Sequence, residues 1–186
     1  MMRIRTIEAL KKYVNGGNNI KYLFFWGHQR KGAEVSKTCF SQWYTSAFET
    51  DGVTYLTAEH FMMAEKARLF NDSETHEKII HASNPGKAKA LGREIRSFDE
   101  SVWIEHRFDI VVKANYLKFD QNHDLKTFLL NTGDRVLVEA SPVDNIWGVG
   151  LAVDHPDIEN PNRWSGLNLL GFALMEVRDI LRHSNE

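Results

Sequence analysis

Helix start signals recur along this chain, while its strand-like stretches are only four or five residues long. That imbalance constrains the fold most, because helices bury apolar stripes against one another and short strands cannot build a large sheet. Thr57 is placed to cap a helix over residues 58–70. Asn84-Pro85 sets a capping side chain before a proline at the first helical position, opening a helix toward Leu91. Ser97 and Glu100 have capping-box spacing ahead of a long helical segment, residues 102–119. Further helices are expected over residues 6–14, over 125–131 with Gly133 as the stop, and over 169–182. Tyr22-Leu23-Phe24-Phe25-Trp26 reads as a buried strand ended by Gly27. Asp51-Gly52 lies between alternating residues 48–50 and 53–55, a hairpin signal because glycine accepts positive φ. Residues 135–139 are a further strand candidate. Residues 141–165, with Pro142, Pro156 and Pro161, read as one long loop of the kind that usually carries function. The pattern predicts a helix-rich α+β single domain with three or four short strands. Residues 1–20 read as a separable N-terminal extension and residues 21–186 as the domain.

Composition narrows the function classes. The 186 residues suffice for one sizeable core, and 42% hydrophobic with 26% charged residues is a globular balance. A net charge of -2 gives no broad basic field for non-specific nucleic-acid binding, although a local basic pocket stays open. Cys39 is the lone cysteine, so it cannot pair internally; it reads as a core residue in a reducing compartment. The apolar runs fall far short of the roughly 20 residues that span a bilayer, and residues 1–12 lack the apolar core of a secretory signal. A cytoplasmic protein without membrane partners is expected. The eight histidines include no H-E-x-x-H spacing, and G-x-S-x-G, P-loop and G-x-G-x-x-G patterns are absent. No metal and no cofactor is expected.

Three constellations have the residue types for chemistry. Glu59, Met63, Lys66 and Phe70 recur at helical spacing, with Glu59 and Lys66 roughly 10 Å apart along the axis. A ligand between them would meet a carboxylate at one end and an ammonium at the other; the bland alternative is a favourable first-turn charge and a solvated lysine. Glu139-Ala140-Ser141-Pro142-Val143-Asp144-Asn145-Ile146-Trp147-Gly148-Val149-Gly150 places two carboxylates, an indole and two glycines after a strand end. Trp147 would stack on a base and Gly148 would let a ligand approach the backbone; the alternative is a capped turn with a core tryptophan. Lys87, Lys89, Arg93, Arg96, Arg107, Lys113 and Lys118 include candidates for a phosphate grip, against the ordinary reading of solvated helix faces.

The ordered succession of motifs is more specific than any one of them. Phe24-Phe25-Trp26-Gly27-His28, Phe40-Ser41-Gln42-Trp43-Tyr44 and residues 57–67 are followed by Ala88-Lys89-Ala90-Leu91-Gly92-Arg93, then Trp103 with Arg107. Lys118-Phe119, residues 129–134, residues 137–150, Trp164-Ser165-Gly166-Leu167-Asn168 and Leu174-Met175-Glu176-Val177-Arg178 complete the series. Together they resemble the NADAR (YbiA-like) family over about residues 22–182. Thr45 stands where that family often has proline, and Gln42 where many members have asparagine.

The resemblance implies an α+β domain connected with NAD and ADP-ribose metabolism and an N-glycosidase reaction. Two substrates are associated with the family: ribosylamino-pyrimidine phosphates of early riboflavin synthesis, and ADP-ribosylated guanine in DNA. A non-catalytic ADP-ribose- or NAD-binding module is the reading from a different class. Breaking a ribose C1–N bond puts positive charge on the sugar, which a nearby carboxylate stabilises. The expected catalytic residues are Glu59, Lys66 and Asp144. Glu59 faces the sugar and Asp144 grips or protonates the base. Lys66 is either an anion ligand or a Schiff-base nucleophile. Trp26, Gly27, Arg93, Trp103, Arg107, Glu139, Trp147, Gly148 and Asn168 are the expected substrate-binding residues, Asn168 either contacting the sugar or capping the last helix.

Overall fold

The computed structural model describes residues 4–30 and 32–184. Residues 1–3 of the expected N-terminal extension, and 31, 185 and 186 of the expected domain, lie outside the described residues. In chain order the elements are α1 (Ile7–Asn15), β1 (Tyr22–Phe25), β2 (Phe48–Thr50), β3 (Val53–Tyr55), α2 (Ala58–Leu69), α3 (Ser73–Ile80), α4 (Pro85–Leu91), α5 (Glu100–Asp120), α6 (His123–Leu130), β4 (Val136–Glu139) and α7 (Leu169–His183). Short 3₁₀ turns occur at Lys37–Phe40 and Pro161–Arg163. The fold is α+β and helix-rich with a few short strands, as the caps and short apolar runs predict. Two compact units emerge: one runs to Ser41 and resumes at Thr127, and the other is Gln42–Lys126. None of the helices among the described residues is long and apolar enough to cross a membrane.

In the Gln42–Lys126 unit the hairpin forms where Asp51-Gly52 marks it. Both turn residues have positive φ, 53° and 74°, the mirror-image turn whose twist suits antiparallel strands. The pairing sets Phe48 opposite Tyr55, with their rings stacked 5.8 Å apart. Thr57 caps α2, its hydroxyl accepting from the His60 N–H. This helix is buried on nearly all sides because α3, α4, α5 and β3 all pack on it. Asn84 caps α4 with proline at the helix start, as the sequence indicates.

Two readings need correction here. A helix the pattern did not announce, α3, is capped by Asp72. Its apolar Ile79 and Ile80 come only at its end, so it shows no repeating stripe. The predicted capping box at Ser97 and Glu100 does not form. Ser97 takes a left-handed φ of 56°, and Asp99 caps α5 instead, accepting from the Ser101 and Val102 N–H groups.

In the other unit β1 and β4 form a parallel pair, Tyr22 opposite Val136 through Phe25 opposite Glu139. The predicted strand ends one residue early: Trp26 lies beyond it and is 56% exposed. Helix α7 packs on β4. Arg178 of α7 is buried and donates to the Thr132 hydroxyl at 2.8 Å and to the Arg135 carbonyl at 2.9 Å, tying α7 to the turn before β4. Desolvation pushes its pKa down to about 10. Arg5, just before α1, donates to Glu176 at 2.7 Å and to Asp179 at 2.5 Å, so the residues leading into α1 are tied to α7.

Candidate active site

The twelve expected site residues divide between the units. Glu59, Lys66, Arg93, Trp103 and Arg107 lie in Gln42–Lys126; Trp26, Gly27, Glu139, Asp144, Trp147, Gly148 and Asn168 lie in the other.

Glu59 is folded inward, 3% exposed, in the first turn of α2. Its N–H donates to the Gln42 carbonyl at 3.0 Å, which fixes the backbone that carries the carboxylate. The Gln42 side chain is buried in turn: its Oε1 accepts from Asn115 Nδ2 at 2.7 Å, and that amide also donates to the Val111 carbonyl within α5. On the other side of Glu59, His60 is pinned at both ring nitrogens. A carbonyl only accepts, so Nε2 donates to Ala82 O at 3.0 Å and Nδ1 accepts from the Thr57 hydroxyl at 2.8 Å. Burial lowers the His60 pKa, which agrees with this neutral ring. The helix dipole and a fixed backbone thus hold a carboxylate in a largely dry setting, where its field acts strongly.

Lys66, two turns along the same stripe, is half-buried and not the solvated lysine of the bland reading. Its Nζ donates to the Gly92 carbonyl at 2.8 Å and lies 4.2 Å from the Phe98 ring centre and 5.5 Å from that of Trp103. Burial, and then the positive charge of Arg93, pull its pKa below the usual lysine value. Arg93 is exposed, and burial lowers the pKa of half-buried Arg107, one turn after Trp103. Lys66, Arg93 and Trp103 are therefore brought together around the end of α4. Met63, between Glu59 and Lys66 on the stripe, packs so tightly on Gly92 that an added Cβ there would collide with its sulfur.

The loop after β4 is a backbone construction. Asp144 is half-exposed, and its Oδ1 accepts from the Ile146 N–H at 2.8 Å and the Trp147 N–H at 2.7 Å, closing a tight turn. Carbonyls of residues 145–148 accept from the N–H groups of Leu167, Leu169, Leu170 and Asn168. A Cβ on Gly148 would come within 2.9 Å of both Glu139 O and Ser141 Cβ. The close approach that glycine permits is made by the chain itself. Asn168 takes the N-cap position of α7 with a left-handed φ of 54°, yet its side chain does not cap. Its Oδ1 accepts from Glu139 N at 3.0 Å and its Nδ2 donates to Leu137 O at 2.9 Å. Glu139 and Trp147 are half-buried, and Gly27 follows β1 with φ 79°.

Sequence reasoning missed Asn115 and the anchoring roles of Gln42 and His60, and it grouped Lys118 with cations that either grip a phosphate or line a solvated helix face. Lys118 is fully buried. A signal was present for two of them: Asn115 and Lys118 lie three apart, on one face of α5. Among the described residues no group of three His, Cys, Asp or Glu side chains is arranged to hold a metal ion.

A protein-family model, the NADAR domain, matches residues 24–182, which run through both units. N-glycosidase R617 of Acanthamoeba polyphaga mimivirus is 44% identical over 164 residues, covering 86% of this chain and 95% of that protein. N-glycosidase YbiA of Escherichia coli strain K12 is 32% identical over 142 residues, covering 76% and 80%. The NMR structure of E. coli YbiA matches the fold with a TM-score of 0.69 at 29% identity, over 89% of this chain and 87% of that one. A match of this length, joined to relatives that align over most of their own sequences, establishes that the chain belongs to the NADAR family.

Proposed function

We propose that this chain is an N-glycosidase that hydrolyses the bond between ribose C1 and a base nitrogen, with Glu59 as the carboxylate facing the sugar. The family's curated members include named N-glycosidases, which supports the reaction class. The single observation that carries the residue assignment is the inward placement of Glu59 at the start of α2. As the C1–N bond lengthens, the sugar gains positive charge, and a preorganised carboxylate in low-dielectric surroundings stabilises it. Water then supplies hydroxide to C1, Glu59 orienting it or taking its proton, and a proton ends on the departing nitrogen.

We assign Lys66, Arg93 and Arg107 to the anionic part of the substrate, with Trp103 beside them. Lys66 and Arg93 lie together at the end of α4, and Arg107 follows Trp103 by one turn of α5; such cations suit a phosphate. This favours ribosylamino-pyrimidine phosphates as substrate, with ADP-ribosylated guanine as the comparator. Asp144, Trp147, Trp26, Gly27, Glu139, Gly148 and Asn168 are assigned to the base side on the family resemblance, Asp144 as its proton donor or grip. The lone, buried Cys39 supports a reducing, cytoplasmic setting.

The test is to offer both substrates to one preparation and follow the products by mass spectrometry. Release of ribose 5-phosphate from the pyrimidine intermediate is the expected result. Tight product binding with no turnover of either substrate would replace catalysis by a non-catalytic ADP-ribose-binding role. Borohydride added during turnover separates the roles of Lys66: a reduced adduct on Lys66 assigns it as nucleophile, and its absence during active turnover leaves it the anion ligand.

A further inference from the structure

The turn between α4 and α5 carries a large apolar side chain, Phe98, that is 44% exposed. Leaving that ring half in water forgoes burial that would stabilise the fold. The turn is fixed on both sides. Before it, Arg96 donates from its backbone N–H to Asp72 Oδ2 at 3.0 Å and from Nη2 to Asp72 Oδ1 at 2.6 Å, and Asp72 is the buried cap of α3. After it, Asp99 caps α5. Between these anchors Ser97 has its left-handed φ of 56°, a conformation that costs a serine energy and persists only where the surroundings over-determine it.

What the turn sets in place is the Phe98 ring. It meets Phe70, at the end of α2, edge to face with centres 5.2 Å apart. It also lies against the Lys66 ammonium, with Nζ 4.2 Å from its centre, while the Trp103 ring centre is 5.5 Å from the same nitrogen. The Gly92 carbonyl accepts from Nζ at 2.8 Å. A ring face and a carbonyl stabilise an ammonium without neutralising it. The ammonium therefore keeps its charge and loses the freedom that its four-carbon stem would otherwise give it. A lysine fixed in advance binds an anion at a lower entropic cost.

We propose that Phe98 is the positioning residue for Lys66: its ring, placed by the turn at Ser97, holds the ammonium against Gly92 O where the anionic group of the substrate binds. The inference rests on the reading of Lys66 as a ligand of that group. It brings a residue of the α4–α5 turn into the site and accounts for both the left-handed serine and the exposed ring.

The test compares wild type, Phe98→Leu, Phe98→Tyr, Lys66→Met and the double variant Phe98→Leu/Lys66→Met. Each is measured for turnover of the ribosylamino-pyrimidine phosphate and by NMR of chains carrying isotope-labelled lysine. The signal missing from Lys66→Met identifies the Lys66 side chain. In wild type that signal should stand upfield of the exposed lysines, because the face of an aromatic ring shields what lies over it. It should return to them in Phe98→Leu and keep its shift in Phe98→Tyr. Phe98→Leu should raise KM about fivefold with a smaller change in kcat, and Phe98→Tyr should stay near wild type. The double variant should have no higher a KM than Lys66→Met, because the ring then has no ammonium to hold. A wild-type KM in folded Phe98→Leu, while Lys66→Met raises it, overturns the inference and leaves the substrate reading of Lys66 standing. An unchanged KM, or outright loss of turnover, in folded Lys66→Met sinks that reading and overturns the inference with it. Should Phe98→Leu not fold, Phe98→Met carries the same comparison. A wild-type Lys66 signal without the upfield shift overturns the inference with no Phe98 variant at all.

Discussion

The start of α2 and the loop after β4 both present a carboxylate that sequence patterning singles out, but they hold it in different ways. Glu59 is carried by a helix with its neighbours buried, and the groups that anchor it come from residues as far apart as Gln42 and Asn115. Asp144 sits in a turn that it closes itself, with Oδ1 taken by two N–H groups within three residues. A carboxylate removed from water and aimed by packing is suited to act on charge; one that accepts local N–H groups is suited to hold a loop's shape. The same contrast runs through the nearby amides. Asn115 supports a side chain, Gln42, whereas Asn168 supports backbone, bonding Glu139 N and Leu137 O.

The strongest way to break this comparison is kinetic. Glu59→Gln should keep the fold and cut turnover by about a thousandfold, on the order of 4 kcal/mol of transition-state stabilisation. Asp144→Asn should cost less in kcat. Equal losses in steady-state assays of the two folded variants would show that the loop carboxylate is as chemical as the helical one. Next in size, Asn168→Ala should destabilise the protein by about 3 kcal/mol in chemical unfolding, because it strands a donor and an acceptor of β4 and puts alanine at positive φ. A loss under about 0.5 kcal/mol would show that β4 does not depend on that amide.

Gly92→Ala should cost about 1–3 kcal/mol, because the new Cβ meets the Met63 sulfur, and it should raise KM by displacing the carbonyl that anchors Lys66. Unchanged KM and melting temperature would detach Lys66 from the site. The smallest effect concerns His60. Its folded pKa lies below the ordinary 6.5, so between the two values the unfolded chain binds more protons. The stability this neutral ring contributes is present above about pH 6.5 and is lost as pH falls toward the folded pKa. His60→Gln should flatten that part of the stability–pH curve, and an unchanged slope would place the acid sensitivity elsewhere.

Local chemistry made much of the fold legible. Thr57 and Asn84 act where their patterns place them, because a cap involves only three or four consecutive residues. Asp51-Gly52 turns for the same reason. At Ser97 the local rule chose the wrong capping residue: Asp99, two residues later, caps α5 through the Ser101 and Val102 N–H groups. Helix α3 escaped notice because its apolar residues are few and its packing against α2 and α4 holds it.

What the sequence by itself determined was the fold class, the family and the presence of Glu59 and Lys66 on one helical stripe, because periodicity, caps and motif order are properties of neighbours along the chain. Only the tertiary structure decided which charges go inside. Lys113 and Lys118 look alike in a helix, yet Lys118 is fully buried, and that follows from what α5 packs against. Burial of a charge depends on partners distant in sequence, and no local pattern records them.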